Sequence, residues 1–358
     1  MAWHHSQVTA LATIHDVALY DLDGVVYIGA GAVAHASESI TAAAALGLRP
    51  VYVTNNAARP PEDVVAHLLE FGLTPQIDEV ITSSQIAADL LAQRYPSGSR
   101  ILCVGGRGLH LALELVGLQP VAKFADDPVA VVQGFGPDVA WKSLAEISYA
   151  VHAGLPWLAT NADLTVPTAR GIAPGNGALV GTVTAATGKH PEVSGKPAPG
   201  VFTAAARRVG ALNPLVVGDR LDTDIAGAVG AGMPSLLVLT GVTDLAGAAG
   251  AGLDCRPTYV WPDLRGLLAA QPIVESDGTT WHSQGWRANV IAGELELTEV
   301  GTPDSSSLER SAAGIAVALA AAWDWLDRTG EPAQVAWAAK AIGVGAPAGG
   351  SVDSEEAS

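Results

Sequence analysis

The chain has 358 residues, of which 49% are hydrophobic and 15% are charged, and it contains 40 glycines and 22 prolines. This composition is typical of a globular protein with many tight turns and excludes a disordered chain. The length allows two domains with an appendage. The formal net charge of −17 argues against binding to nucleic acid or to an anionic membrane surface.

The two cysteines, Cys103 and Cys255, are far apart in the sequence and lie within apolar runs. We expect them to be reduced core thiols, which favours a cytoplasmic location. The first residues show no basic and apolar regions of a secretory signal, and the alanine-rich stretch near 311–323 is too short to span a bilayer. We therefore expect no membrane attachment.

Strand-like runs alternate with helical patterns along most of the chain. The predicted strands are 16–21, 49–56, 100–106, 129–135, 156–163, 214–220, 234–241 and 257–264. The predicted helices are 38–46, 60–72, 83–95, 174–188, 198–209 and 222–231. This alternation predicts an α/β fold, doubly wound, with parallel sheets covered by helices on both faces.

Three polar clusters follow predicted strands, namely DLD (21–23), TNN (54–56) and GDR (218–220). In open parallel sheets, ligands bind at the carboxyl ends of the strands. Each cluster also has an ordinary structural explanation as a turn or as a capped helix start. Their common position at strand ends and their order favour a functional site.

The aspartates at these ends predict a site for a hard divalent cation such as Mg²⁺, which prefers carboxylate and carbonyl oxygens. Asp21 and Asp23 are separated by one residue, and Gly24 permits a tight turn directly after them. Asp219 follows a different apolar strand and could complete the site. Asp224, five residues further on, is a candidate for a supporting position beside it.

A phosphate-binding set accompanies the aspartates. Thr54, Asn55 and Asn56 offer hydroxyl, amide and backbone donors, and Lys196 in SGKPAPG offers a cation at a predicted helix start. A phosphate that approaches a carboxylate at about 4 Å is repelled by roughly 4 kcal/mol per unit charge pair at an effective dielectric near 20. A metal ion and Lys196 would turn this repulsion into a net attraction, so the set of residues fits phosphoryl transfer to a carboxylate.

With these residues in order, the chain resembles the haloacid dehalogenase superfamily of aspartate-based phosphatases. The resemblance lies in DLDGV (21–25), VTNN (53–56), GKP (195–197) and GDRLDTD (218–224), and it covers about residues 12 to 270. The long insert that ends in ATNADLTVPTARGIAPGNGAL (159–179) is similar to the α/β cap of the NagD-like branch. The implied fold is a Rossmann-like core with an inserted cap.

The resemblance implies a role for each motif residue. Asp21 would be the nucleophile and a Mg²⁺ ligand, and Asp23 the general acid and base, with its main-chain carbonyl on the metal. Asp219 would be the remaining protein ligand, and Asp224 would orient water or Lys196. The implied phosphate and nucleophile contacts come from Gly24, Thr54, Asn55, Asn56 and Lys196.

The implied domains are a catalytic core at 1–96 and 190–272 and a cap at 97–189. Candidate cap contacts to the substrate are Asp163, Val166 and Arg170. Relatives specific for pyridoxal phosphate carry a histidine where this chain has Val166, which argues against that substrate. The resemblance therefore favours glycerol 3-phosphate first and phosphoglycolate or another polyol or sugar phosphate second.

The composition changes after about residue 275. GTTWHSQGWRANVIAGELELTEVG predicts two strands, followed by one apolar helix and a short second helix, in a small α+β module at 273–345. Residues 346–358 read as a disordered acidic tail. Because the module is short for an independent core, we expect it to dock on the enzyme body or on a second subunit.

Two alternatives stay open. A phosphomutase is disfavoured because the large insert follows the second motif rather than the first. A regulator that binds a phosphorylated metabolite without turnover is disfavoured by the intact Asp21 and Asp23. The expected partner is a small phosphorylated metabolite rather than nucleic acid or membrane, and a homodimer is possible.

Overall fold

The structure is a computed structural model in which residues 9–168, 171–300 and 306–343 are described. The chain divides into two compact units, one formed by Met1–Arg49 with Leu212–Ser358 and the other by Pro50–Ala211. The second unit contains the predicted cap and also neighbouring segments that the motifs assign to the core. The division into catalytic core and cap stays a prediction, and the expected tail at 346–358 lies outside the described residues.

The described part of the first unit begins with a short helix and a buried strand. Its first elements, in order, are α1 (Leu11–Ile14), β1 (Val17–Tyr20), β2 (Tyr27–Ile28), β3 (Gly31–Ala32) and α2 (Ala36–Ala45). Every residue of β1 is buried, as an apolar run in a parallel sheet requires. β2 and β3 form a small antiparallel hairpin shortly after β1.

The second unit opens with a β–α–β segment. Its elements, in order, are β4 (Arg49–Thr54), α3 (Pro61–Glu70), β5 (Val80–Thr82) and α4 (Ser83–Arg94). β4 and β5 are parallel neighbours. α3 has proline at its first position and acids in its first turn, and α4 starts at a capping box formed by Thr82 and Gln85.

The rest of the second unit contains a five-stranded parallel sheet in the order β12-β9-β8-β6-β7. An antiparallel hairpin, β10–β11, is separate from that sheet and was not predicted. The elements are β6 (Arg100–Val104), α5 (Arg107–Leu115), β7 (Gln119–Val121), β8 (Ala130–Gln133), α6 (Trp141–His152), β9 (Trp157–Ala159), β10 (Thr165–Thr168), β11 (Gly171–Pro174), α7 (Asn176–Thr187), β12 (Glu192–Val193) and α8 (Gly200–Val209).

Alternate residues of β6 enter two different cores, because successive side chains of a strand point to opposite faces. Ile101 and Cys103 pack with the buried residues of α4 and α5. Leu102 and Val104 pack with those of α6 and α7. The sheet is therefore covered by helices on both faces, as the near-continuous apolar strands predict.

The chain then completes the parallel sheet of the first unit, in the order β15-β14-β13-β1. The added elements are β13 (Pro214–Gly218), α9 (Ala226–Gly230), β14 (Ser235–Val238), α10 (Leu245–Ala249) and β15 (Tyr259–Trp261). The predicted helix at 222–231 begins instead as a π-helical turn, Leu221–Ile225. The predicted α/β class with a Rossmann-like parallel sheet is confirmed.

In the described residues of the C-terminal module, a four-stranded antiparallel sheet is joined by two helices. Its elements are β16 (Glu275–Ser276), β17 (Trp281–Ser283), β18 (Trp286–Ile291), β19 (Glu294–Glu299), α11 (Ser307–Thr329) and α12 (Ala336–Ile342). The prediction of two strands in GTTWHSQGWRANVIAGELELTEVG was wrong, because two-residue turns divide that segment into three strands, β17, β18 and β19. Gln284–Gly285 and Ala292–Gly293 all have positive φ, which is the geometry of type I′ hairpin turns.

The module shares one hydrophobic core with the parallel sheet of the first unit. Trp286, Leu295 and the buried face of α11 pack with residues of β14, β15 and α10. The Trp323 indole also donates to the Ala248 carbonyl oxygen at 2.8 Å. Of the two expected docking partners, the body of the chain or a second subunit, the structure shows the first, because the module packs on the parallel sheet of the first unit. Among the described residues, no helix combines the length and apolar character needed to cross a bilayer.

Candidate active site

Asp21 and Asp219 follow two neighbouring parallel strands of the first unit. β1 and β13 run in register, with Tyr20 opposite Val217, and the Asp21 amide donates to the Val217 carbonyl oxygen at 2.8 Å. Because parallel strands end at the same edge of the sheet, both carboxylates emerge there. The strand-end placement predicted from DLD and GDR is therefore observed.

Asp224 joins these two residues to make a group of three carboxylates. One oxygen from each of Asp21, Asp219 and Asp224 lies within 4.8 Å of the others. Asp219 and Asp224 are 0% and 1% exposed, and Asp21 is half-buried. Buried like charges at this spacing are unfavourable without a cation, and an all-oxygen donor set suits Mg²⁺. The residues present therefore fit the predicted metal.

Glycines without space for a side chain surround this cluster. A Cβ at Gly24 or at Gly241 would overlap the Asp219 carboxylate, and one at Gly218 would overlap that of Asp224. The Val242 amide donates to Asp219 Oδ2 at 2.6 Å, and the Arg220 amide donates to Asp224 Oδ2 at 3.2 Å. These contacts hold both carboxylates in fixed orientations.

The turn after Asp21 is shaped by Gly24, which has a φ of +84°. Its amide donates to the Tyr27 carbonyl oxygen at 2.8 Å, and its own carbonyl accepts from the Thr240 hydroxyl at 2.6 Å. Asp23 is exposed and is not part of the three-carboxylate cluster. Its roles as general acid and base and as a metal ligand through its carbonyl stay predictions.

In the second unit, the TNN cluster follows β4, and Thr54 is 5% exposed. The Thr54 hydroxyl accepts from the Asn56 amide at 3.1 Å, and Asn56 Oδ1 accepts from the Ala58 amide at 2.9 Å. The Asn55 carbonyl oxygen accepts from the side chains of Ser83 at 2.7 Å and Asn161 at 2.8 Å. The backbone of residues 54–58 is therefore fixed by its own and neighbouring side chains. It is here called the phosphate loop, because the resemblance assigns phosphate binding to its first residues.

Lys196 lies against the phosphate loop and is 3% exposed. Its amide donates to Asn55 Oδ1 at 2.8 Å, and its carbonyl oxygen accepts from Asn55 Nδ2 at 3.3 Å. Gly195 packs so closely that a Cβ there would overlap the Thr160 carbonyl oxygen. The GKP and TNN motifs, distant in sequence, therefore form one cluster within the second unit.

The predicted substrate contacts Asp163 and Val166 occupy different settings. Asp163 is half-buried and accepts from Asn55 Nδ2 at 3.2 and 3.3 Å on its two oxygens. Val166 is on β10 of the hairpin, opposite Ala173 of β11. Arg170 lies outside the described residues. The roles of all predicted site residues in binding stay predictions.

Sequence reasoning missed several residues that support these clusters. Gly241 and Val242 follow β14 without any acidic or basic residue to draw attention to them. Asn161, in TNAD, and Asn176, in PGNG, are 4% and 1% exposed, and Asn176 Nδ2 donates to the Asn161 carbonyl oxygen at 2.8 Å. The only signal for them was a polar residue beside glycine or after an apolar strand.

Family models match both halves of the motif set. Residues 18–119 match a model of haloacid dehalogenase-like hydrolases, and residues 193–267 match a second model of that type. D-glycerol 3-phosphate phosphatase of Mycobacterium tuberculosis is 42% identical over 322 residues, which is 88% of each chain. Acid sugar phosphatase of Staphylococcus aureus is 35% identical over 253 residues, covering 70% of this chain and 96% of that protein.

Solved structures agree with these matches. A crystal structure of the glycerol phosphate phosphatase from Mycobacterium tuberculosis with calcium has a TM-score of 0.81 at 38% identity, covering 94% of this chain and 99% of that one. A second structure of it, with magnesium, has a TM-score of 0.77 at 42% identity, covering 88% and 92%. The chain belongs to the haloacid dehalogenase-like hydrolases. The predicted class of enzyme, a hydrolase of the phosphatase type, is confirmed.

Proposed function

We propose that this hydrolase uses Mg²⁺ to cleave small organic phosphate monoesters, with glycerol 3-phosphate as its substrate. The observation that carries the proposal is the cluster of Asp21, Asp219 and Asp224 at the ends of β1 and β13. The substrate is supported by the 42% identity to a D-glycerol 3-phosphate phosphatase. The metal is supported by that relative's structure with magnesium.

In the first step, a carboxylate oxygen of Asp21 attacks the phosphorus atom of the ester. A bond from phosphorus to Asp21 forms as the bond from phosphorus to the alcohol oxygen breaks. Asp23 gives its proton to the departing oxygen, so that a neutral alcohol leaves. The product on the enzyme is an aspartyl phosphate, which divides one difficult displacement into two easier ones.

In the second step, Asp23 accepts a proton from a water molecule whose oxygen attacks the same phosphorus. The bond from phosphorus to Asp21 breaks, inorganic phosphate leaves, and Asp23 is protonated again. Both steps require phosphate oxygens to be held in place. The proposed donors for that purpose are Thr54, Asn55 and the ammonium group of Lys196, and Asn56 helps to fix the nucleophile and the substrate.

Asp21 and Asp219, with the carbonyl oxygen of Asp23, are the proposed holders of Mg²⁺, and Asp224 stands beside them. The ion supplies neutralisation of the charge on the phosphoryl group and on the carboxylates. Two further features of the chain hold the Asp219 carboxylate in position for the ion. Gly24 and Gly241 leave no space beside Asp219, and the Val242 amide fixes one of its oxygens.

Sugar phosphates and phosphoglycolate are the second class of substrates. The sugar phosphates are supported by the 35% identity to acid sugar phosphatases. Pyridoxal phosphate is disfavoured because the side chain of Val166, on the β10–β11 hairpin, has no hydrogen-bonding group. A regulator that only binds a phosphorylated metabolite would show saturable binding with no release of phosphate.

The test is Mg²⁺-dependent phosphate release from a panel of esters: glycerol 3-phosphate, phosphoglycolate, pyridoxal phosphate, UMP and glucose phosphates. Three proteins are compared, the wild type, Asp21→Asn and the control Asp222→Asn. Asp222 is an exposed carboxylate that pairs with Arg220 in the same loop as Asp224. We expect release by the wild type and the control and none by Asp21→Asn. Absence of release from every ester by the metal-loaded wild type would overturn the proposal.

We further propose that the enzyme acts in the cytoplasm. Cys103 and Cys255 are both free thiols, and Cys103 is 4% exposed, which suits a reducing compartment. Burial raises the pKa of the Cys103 thiol, so it stays protonated and inert at neutral pH. The possible homodimer stays a prediction.

A further inference from the structure

The side chain of Asn55 is held at both ends of its amide group. Oδ1 accepts from the Lys196 amide at 2.8 Å, while Nδ2 faces the Lys196 carbonyl oxygen at 3.3 Å and both carboxylate oxygens of Asp163 at 3.2 and 3.3 Å. A flipped amide would set its oxygen against three acceptors, which have no proton to donate. The surroundings therefore allow one orientation of Asn55.

Asp163 supplies the charge in this arrangement. A hydrogen bond to a carboxylate is about twice as strong as one between neutral groups, so Asp163 is the strongest single partner of Nδ2. The bond joins residues 108 positions apart in the sequence. It holds the side chain of a residue whose carbonyl is already fixed by Ser83 and Asn161.

Asp163 is also rigidly placed by its own backbone. Its amide donates to Asn161 Oδ1 at 3.2 Å, and its carbonyl oxygen accepts from the Gly177 amide at 2.8 Å at the start of α7. A Cβ at Gly175 would overlap that carbonyl oxygen. Two residues after Asp163 the chain enters β10 of the hairpin. Asp163 thus stands between the hairpin and the phosphate loop.

We propose that Asp163 is a positioning residue that acts through Asn55 and does not touch the substrate. By fixing the Asn55 amide it holds the phosphate loop and the backbone of Lys196 in the conformation that receives a phosphoryl group. This role rests on the proposed phosphatase activity. It differs from the substrate contact that the resemblance of the insert to a cap leads us to expect for Asp163.

A residue that acts through the phosphate loop has the same effect on every phosphate ester. Loss of Asp163 therefore lowers kcat/KM for glycerol 3-phosphate and for p-nitrophenyl phosphate by the same factor, about tenfold for one charge-assisted hydrogen bond. A residue that touches the alcohol part of the substrate would change the ratio of the two values instead.

The experiment is a double-mutant cycle with Asn55→Ala, Asp163→Ala and the double variant. Two quantities are measured in the presence of Mg²⁺: kcat/KM for both esters, and the dissociation constant of inorganic phosphate by calorimetry. In the wild-type background, we expect Asp163→Ala to lower kcat/KM and to raise the dissociation constant of phosphate, each by about tenfold. In the Asn55→Ala background, we expect each change to stay below about twofold. Asp163→Asn keeps an acceptor oxygen and should recover part of the loss.

Asp138→Ala is the matched control, because Asp138 is an exposed carboxylate of the same unit. The positioning role would be overturned if Asp163→Ala lowered kcat/KM and phosphate affinity equally with and without Asn55. A changed ratio of kcat/KM between the two esters would also overturn it. If the wild type binds phosphate but releases none from any ester, the proposed activity fails while the cycle is still read from phosphate binding. If the wild type binds no phosphate at all, the phosphate loop is wrongly assigned and both proposals fail.

Discussion

Gly24 lies directly against the carboxylate of Asp219, with no space between them for a Cβ atom. Gly24 also has a φ of +84°, which residues that carry a side chain rarely adopt. The glycine after DLD therefore does more than permit a turn. It brings the backbone after Asp21 against a proposed metal ligand that is almost 200 residues away in the sequence.

The first prediction concerns this contact. Gly24→Ala should displace the Asp219 carboxylate and lower Mg²⁺-dependent phosphate release by at least about tenfold, since displacement removes a metal ligand. The matched control is Gly29→Ala, because Gly29 also has a positive φ, +59°, but nothing lies within 4 Å of its Cβ position. Gly29→Ala should cost about 1 kcal/mol of stability from backbone strain and leave activity unchanged. Equal activities of the two variants would contradict the account.

A second prediction concerns the metal and does not depend on turnover. Three carboxylates within 4.8 Å of one another repel, by roughly 3 kcal/mol per pair at an effective dielectric near 20. Mg²⁺ should therefore raise the Tm of the wild type, and a chelator should lower it again. Asp219→Asn removes one negative charge and leaves only a neutral amide oxygen as a weaker ligand, so its Tm should respond far less to Mg²⁺. Differential scanning calorimetry with and without Mg²⁺ measures this, and an unchanged response in the variant would exclude Asp219 as a ligand.

A third prediction concerns the docking of the C-terminal module. Trp323 is 4% exposed, packs in the core shared with β14 and β15, and donates to the Ala248 carbonyl oxygen. Trp323→Ala should lower the free energy of unfolding by about 3–5 kcal/mol. Trp337→Ala, on α12, is the control because Trp337 is 48% exposed, and its effect should stay below about 1 kcal/mol. Urea unfolding measures both, and similar losses would show that the module is not held through Trp323.

A fourth prediction gives the pH dependence of one ion pair at the module boundary. Arg256 donates to both oxygens of Asp327, at 2.9 and 2.8 Å, and this bonding holds the pKa of Asp327 below its usual value of 3.8. A carboxyl group with a lowered pKa in the folded protein stabilises it above the unfolded-state pKa. That contribution is lost as the pH falls through the folded-state pKa.

Because Asp327 is 44% exposed, solvent screens the pair and its contribution should be at most about 1 kcal/mol. Asp327→Asn should therefore be slightly less stable than the wild type at pH 7, and the two should converge as the pH falls below about 3.8. Urea unfolding from pH 7 to the acid range tests this. A difference in unfolding free energy between the two proteins that grows on acidification would contradict the prediction.

Much of the site in the first unit could be predicted because its chemistry is local to strand ends. DLD and GDR each combine an apolar strand with carboxylates directly after it, so the residues and their shared edge follow from the pattern. Lys196 and Asn55 were predicted separately, but their contact was not, since 141 positions separate them and nothing in either motif specifies the pairing.

The errors also have physical reasons. The turns at Gln284–Gly285 and Ala292–Gly293 replace the usual Asn–Gly with Gln and Ala at positive φ, so the strands of the module were counted as two. Three of the four residues of β11 are exposed, and the sequence of the hairpin lacks an apolar alternation that would indicate strands. Gly241 and Val242 act through backbone geometry, which composition does not reveal.

The most direct test of the central claim is detection of the covalent intermediate on Asp21. The wild type with Mg²⁺ and glycerol 3-phosphate is quenched in acid, digested and examined by mass spectrometry. We expect the peptide containing Asp21 to gain the mass of one phosphoryl group, and neither Asp21→Asn nor the chelated enzyme to show this gain. Steady release of phosphate with no phosphorylated Asp21 peptide, or with the same yield from Asp21→Asn, would contradict the assignment of Asp21 as the nucleophile.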